Sequence, residues 1–274
     1  MEPSQKQSAW QAPALLNLIL GGLGAGFYVI ALLTLPQNDA WARAPIQCAV
    51  IKLLGPALVS LGLVSLTVEA GHPLNSIYLL TNLRQSWMSR EALAAGVFII
   101  AAGLDWLTSN PISQGVAAVA GLVFIFSQGM LVLHASGVIT WNVPIIPWFF
   151  LTCGLATGAG LLFIVVSALG VSSSTWLPIA MLITAIVNAA VWVAYLNAPG
   201  QAFQCAIEPL RRRNSLALTL GLGHLLPIVL LVANFVQSQT PLVVAAGLAL
   251  IIGGASQKFG LAFQASALRG FVRG

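Results

Sequence analysis

Between two long apolar runs the chain places Glu69, His72, Arg84, Arg90 and Glu91, so two acids, an imidazole and two guanidinium groups share one connecting stretch. Carboxyl and imidazole groups exchange protons, and guanidinium groups donate hydrogen bonds to oxygen. Gathered where lipid meets water, such groups suit the movement of protons on and off a lipid-soluble carrier. Lys52 and Asp105 form a second set, inside the apolar runs themselves. A charge there costs about 2.5–3.5 kcal/mol on insertion scales, so each needs a partner or a purpose.

The elements that must position these residues follow from composition. Of 274 residues, 58% are hydrophobic and 6% charged, against roughly 25% charged in soluble domains, which excludes an ordinary soluble enzyme. A mean hydropathy of +0.94 and apolar runs longer than a core helix needs indicate a polytopic all-α membrane protein. The net charge of +5 rests on basic residues spread thinly along the chain, which reads as a topology signal and not as a nucleic-acid surface. Cys48, Cys153 and Cys205 lie in apolar stretches without a paired spacing and read as small packing residues. Met1 to Gln11 is polar and does not resemble a cleavable signal.

A spanning helix needs about 20 mostly apolar residues. Eight windows qualify, at approximately 13–35, 46–69, 91–109, 113–136, 146–171, 176–197, 215–237 and 241–264, within a single integral membrane domain covering 1–274. Pro36, Pro111, Pro144 and Pro241 mark breaks, and the runs Gly21–Gly26 and Cys153–Gly160 suit close helix contacts. With eight spans, both termini and the even-numbered connections share one face. That face carries Lys6, Arg84, Arg90, Arg211, Arg212, Arg213, Arg269 and Arg273, against Arg43 on the other, so the termini are expected in the cytoplasm.

Several residues admit a plainer reading beside the chemical one. Glu91 follows Ser89, whose hydroxyl could cap span three while the acid faces the positive helix end. Lys52 and Asp105 could simply pair across neighbouring helices. His134 closes span four as either a core imidazole or a ligand-facing one, and His224 reads as structural. The run Arg211–Arg213 reads as an orientation device or a contact for anionic headgroups or a partner. In the stretch from Gly71 to Arg90, Pro73 suits a first helical position and Leu74, Ile77 and Tyr78 recur at helical spacing. A short interfacial helix is expected there as a re-entrant lid, with Trp87 in the headgroup belt.

The run EAGHPLNSIYLLTNLRQSWMSREA, Glu69 to Ala92, resembles the signature segment of the DMSO reductase membrane anchor subunits, the DmsC branch of the NrfD and polysulfide reductase anchor group. The span count, the GLGAG of span one and the VITWNVPIIP after span four agree with it over essentially the whole chain. Where the family commonly has His-Leu-Gly-x-Pro, this chain has Glu-Ala-Gly-His-Pro, so Glu69 stands in the place of a histidine associated with quinol handling. Gly71, Pro73, Ser86, Ser89 and Glu91 match the family pattern, whereas Asn75 stands where arginine is frequent and His134 where a tyrosine is thought to touch the quinone. The SWMSRE wording is most similar to the membrane subunits of cytoplasmic sulfite dehydrogenases.

The resemblance implies a quinone-binding anchor, for menaquinone or ubiquinone, that passes electrons between the quinone pool and an iron–sulfur ferredoxin-like subunit joined to a molybdopterin catalytic subunit. It implies a bacterial inner membrane location. On this reading Glu69, His72 and Glu91 exchange protons, while Asn17, Arg84, Arg90 and His134 join Glu69 and His72 in holding the quinone. Three histidines, none paired at helical spacing, are a poor supply of haem ligands, and the cysteines cannot hold a cluster, so neither is expected in this chain. The rival classes are a secondary transporter using Lys52 and Asp105, whose usual inverted repeat is not visible, and a structural tether without quinone.

Overall fold

Apolar runs of this length can cross lipid only as helices, because the hydrocarbon offers no partner for backbone N–H and C=O groups. The computed structural model describes residues 12–35, 45–70, 83–84, 86–135, 137–171 and 174–266, with residues 45 and 68–70 as backbone only. Eight of its helices are long and apolar enough to span a membrane. They are α1 (Ala12–Thr34), α2 (Pro45–Ala70), α3 (Trp87–Thr108), α4 (Pro111–His134), α5 (Ile146–Ala168) and α6 (Trp176–Leu196), followed after two short helices by α9 (Arg213–Val236) and α10 (Thr240–Gln264). The short helices α7 (Gln201–Ala206) and α8 (Glu208–Arg211) occupy the connection after α6, which sequence reading left without structure.

Helix α1 is the most enclosed of the eight, packed by α2, α4 and α5, while α5 in turn carries α6 and α10. Lipid and side chain are equally apolar, so close packing must replace the hydrophobic drive. The expected small-residue contacts are where that packing occurs: Gly26 faces Gly154 and Gly158, and Gly24 faces Gly55. A methyl group built on Gly26 would run into the Gly154 carbonyl. The same device joins α5 to α10 through Gly160 and Gly247, and α9 to α10 through Gly223 and Gly253.

Two ends are fixed by polar contacts. The single turn Ile139–Trp141 between α4 and α5 is tied to α10, with the Trp141 indole donating to the Leu261 carbonyl at 2.9 Å and the Thr140 hydroxyl to that of Ala265. Arg211 donates to the Leu196 carbonyl at 2.7 Å, satisfying the end of α6. This gives one of the expected orientation arginines a capping duty. In α9 the turns widen to π type over Ala217–Leu225, just before Pro227, whose ring would otherwise meet the carbonyl one turn back.

One local expectation is corrected. The cap of α3 is Ser86, whose side chain accepts the Ser89 N–H at 3.3 Å, so the helix begins at Trp87 and Ser89 already lies inside it. Glu91 therefore sits past the first turn, not at the capping position. The expected interfacial helix between spans two and three falls on residues outside the described set, as does His72.

Candidate functional site

An early start of α3 turns Glu91 into the bundle. Its residue is 4% exposed, and its Oε1 accepts from Asn17 Nδ2 on α1 at 3.0 Å and from Gln128 Nε2 on α4 at 3.4 Å. Gln128 also donates to the Asn17 backbone carbonyl at 3.2 Å, so one amide ties two helices to the acid. Gly21 makes room for it: a Cβ there would fall 2.7 Å from Gln128 Nε2. Asn17 Oδ1 lies against Gly62 of α2, buried and with no hydrogen-bond partner. The two described side chains that hold this carboxyl are thus neutral, and together with it they join α1, α3 and α4.

Nearer the helix ends lies a second group. Arg90 reaches back to the carbonyls of Leu83 and Arg84, at 2.9 and 2.8 Å, and its guanidinium lies 4.2 Å above the Trp87 ring. His134, exposed at the end of α4, packs against the same indole with ring centroids 5.6 Å apart, and its Nδ1 meets the Met130 carbonyl at 2.9 Å. Trp87 and Glu91 are one turn apart on α3, so this rim stands over the internal acid. Of the residues singled out from sequence, Asn17 and Glu91 meet directly, and Arg90 and His134 meet through Trp87. Arg84 is exposed and contributes its carbonyl to Arg90. Glu69 closes α2, with its side chain outside the described set.

The other end of α3 is built differently. Asp105, about 21 Å along the helix from Glu91 at 1.5 Å per residue, is 2.9 Å from Lys52 Nζ and accepts the Tyr28 hydroxyl at 2.9 Å. Lys52 also donates to the Asp105 carbonyl at 3.2 Å and to Ser109 Oγ at 3.1 Å. Tyr28, Leu32, Leu35 and Ile51 line a small cleft over this pair. The charges there neutralise each other, as the plainer reading of Lys52 and Asp105 expects.

Two interior residues carry no role in the sequence reading, Gln128 because it is not singled out and Lys258 because it stands there only as a charge inside an apolar run. Gln128 is fully buried, yet in FSQGM its amide is averaged away by apolar neighbours; a search for single amides inside spans would have found it. Lys258 is 2% exposed on α10, where its Nζ donates to the Leu18 carbonyl at 2.6 Å and lies 5.4 Å from the Phe150 ring centroid. In the second half, His224 has Nδ1 at 2.6 Å from the Thr219 carbonyl, a geometry that makes Nδ1 the donor and leaves Nε2 to accept from Asn188 at 3.2 Å. That imidazole is satisfied and reads as structural.

Eight spanning helices around a buried acid held at one end define a multi-pass membrane protein with an internal polar site. The family model described as DMSO reductase anchor subunit (DmsC) matches residues 7–199, which cover α1 to α6 and therefore all of this site. The chain belongs to the DMSO reductase anchor subunit family and is a membrane anchor subunit of that type. No curated protein matches it.

Proposed function

We propose that this anchor exchanges electrons and protons with a menaquinone or ubiquinone near the termini face, on behalf of an iron–sulfur ferredoxin-like subunit and a molybdopterin catalytic subunit. The observation that carries the reading is the enclosed Glu91 carboxyl, held among the described residues by the amides of Asn17 and Gln128. A carboxyl fixed by neutral donors keeps its geometry whether or not it holds a proton, as a group that gives and takes protons must. Asn17 Oδ1 supports the fit, since a buried acceptor without a partner suits the hydroxyl of a reduced quinone.

A bound quinone supplies two-electron, two-proton redox chemistry. Glu91 takes or returns a proton at its carboxyl oxygens, and Asn17 orients it. Trp87, Arg90 and His134 form the rim through which a ring would pass, and Arg90 holds the start of α3 in place through the carbonyls of Leu83 and Arg84. Glu69 and His72 complete the proton route to the aqueous side, which the basic residues of the termini face assign to the cytoplasm of a bacterial inner membrane. The SWMSRE segment favours a sulfite dehydrogenase complex as the assembly served.

The test is a paired assay on the intact complex. Glu91→Gln and Glu69→Gln should each abolish quinone-linked turnover while dye-linked turnover of the catalytic partner survives. Unchanged quinone-linked rates in both variants would remove the assignment. The assembly itself is checked by co-purification: a transporter would come away colourless, without molybdenum and iron–sulfur absorbance, whereas a tether without quinone would co-purify with its partners and show electron flow that a quinone-site inhibitor leaves unchanged.

A further inference from the structure

Charge pairing leaves two residues over. Among the acids whose side chains are described, Asp105 is paired with Lys52, and Glu208 is exposed beside Arg212 at 3.9 Å, so Glu91 is the buried acid without a described cation in contact. Among the described cations, Arg84 and Arg211–Arg213 are exposed, and Arg90 is held by carbonyls and Trp87. Lys258 is therefore the buried cation without a described carboxyl group in contact. Both leftovers are bound to the same turn of α1, Glu91 through Asn17 and Lys258 through Leu18.

Gln128 stands between them. Its Nε2 donates to Glu91 and to the Asn17 carbonyl, while its Oε1 is fully buried and has no partner. A Cβ built on Gly22 would lie 2.6 Å from Lys258 Nζ and 3.8 Å from Gln128 Oε1, so the ammonium and the spare amide oxygen both face the open side of that glycine. The Lys258 ammonium has three donors. One goes to Leu18, and a second direction is taken by the Phe150 ring. An isolated ammonium in lipid surroundings is costly; the Cys153 thiol is a titratable neighbour, and among the described carboxyl groups Glu91 lies on the far side of that single amide.

We propose that Lys258 is the counter-charge of Glu91, joined to it through Gln128 across the open face of Gly22. Lys258 is thus a positioning residue: it acts on the proton-exchanging carboxyl from the second half of the bundle and touches no carrier itself. Gln128 transmits the link because its amide is polarised from both ends, by the acid at Nε2 and by the field of the ammonium that shares the open side of Gly22 with Oε1. The link joins α3 and α4 to α10, which the family match to residues 7–199 does not reach. It does not depend on the quinone reading, because the coupling exists in the resting complex.

The experiment is a double-mutant cycle on the purified intact complex, read by thermal unfolding, with wild type, Lys258→Met, Glu91→Gln and the double variant. Each single change strands one charge, so the double variant should melt at least about 3 °C above the sum of the single effects. If Lys258→Met does not assemble, Lys258→Gln replaces it in the same cycle, since that change removes the charge and keeps a donor for the Leu18 carbonyl. The infrared carboxyl band of Glu91, identified by its loss in Glu91→Gln, should shift in Lys258→Met and in Gly22→Ala, whose methyl enters the shared space. Additive melting effects or an unmoved band would each overturn the link, whatever the quinone assays show.

Discussion

Helix α3 carries one acid near each end, and the two are treated in opposite ways. Asp105 has a lysine and a tyrosine within 2.9 Å, so its charge is cancelled where it stands. Glu91 has, among the described residues, two amides. A direct ion pair pins two helices but resists any change of protonation, because losing one charge strands the other. Neutral donors give up some of that rigidity and tolerate either state. One helix thus holds a clamp at one end and a proton-exchanging group at the other.

The contrast can be broken most severely at Glu91. Glu91→Gln should lower quinone-linked turnover at least about 100-fold, the lower bound for losing a positioned acid or base, with dye-linked turnover intact. Asp105→Ala should do the reverse. It leaves the half-buried Lys52 without its acid and should cost about 3 kcal/mol of stability, the lower end for breaking a buried pair, measured by denaturant unfolding in detergent, with little change in turnover per folded complex. Replacing both partners, Lys52→Met with Asp105→Leu, should restore most of that loss. Gly26→Ala forces α1 from α5 and should cost roughly 1–3 kcal/mol, affecting both ends alike. Tyr28→Phe removes one hydrogen bond from Asp105 and should cost only about 1 kcal/mol in the same unfolding measurement.

Much of this was legible in the chain. Eight spans follow from the need of backbone groups for internal partners in lipid, and the glycine runs announced where α1 and α5 meet. Lys52 and Asp105 could be paired because each was a lone charge in an apolar run at a similar depth. The cap of α3 was misplaced because SWMS offers two serines with the same capping chemistry. Starting at Trp87 lets Arg90 reach the carbonyls of Leu83 and Arg84, a tertiary gain that propensity does not encode. Gln128 stands unread in the sequence, and Lys258 is visible there as a charge inside an apolar run but without a role, for a different reason. Hydropathy averages over a window, and one amide or one ammonium hardly lowers it, yet inside a bundle each is decisive. The link from Lys258 to Leu18 also spans most of the chain, beyond any local pattern.

The two ends of α3 are most directly told apart by a density map of the intact complex with a bound quinone analogue. The ring is expected beside Glu91 and Asn17, under the rim of Trp87, Arg90 and His134. A ring in the cleft over Lys52 and Asp105, with the Glu91 end closed by side chains, would contradict the assignment of proton exchange to Glu91.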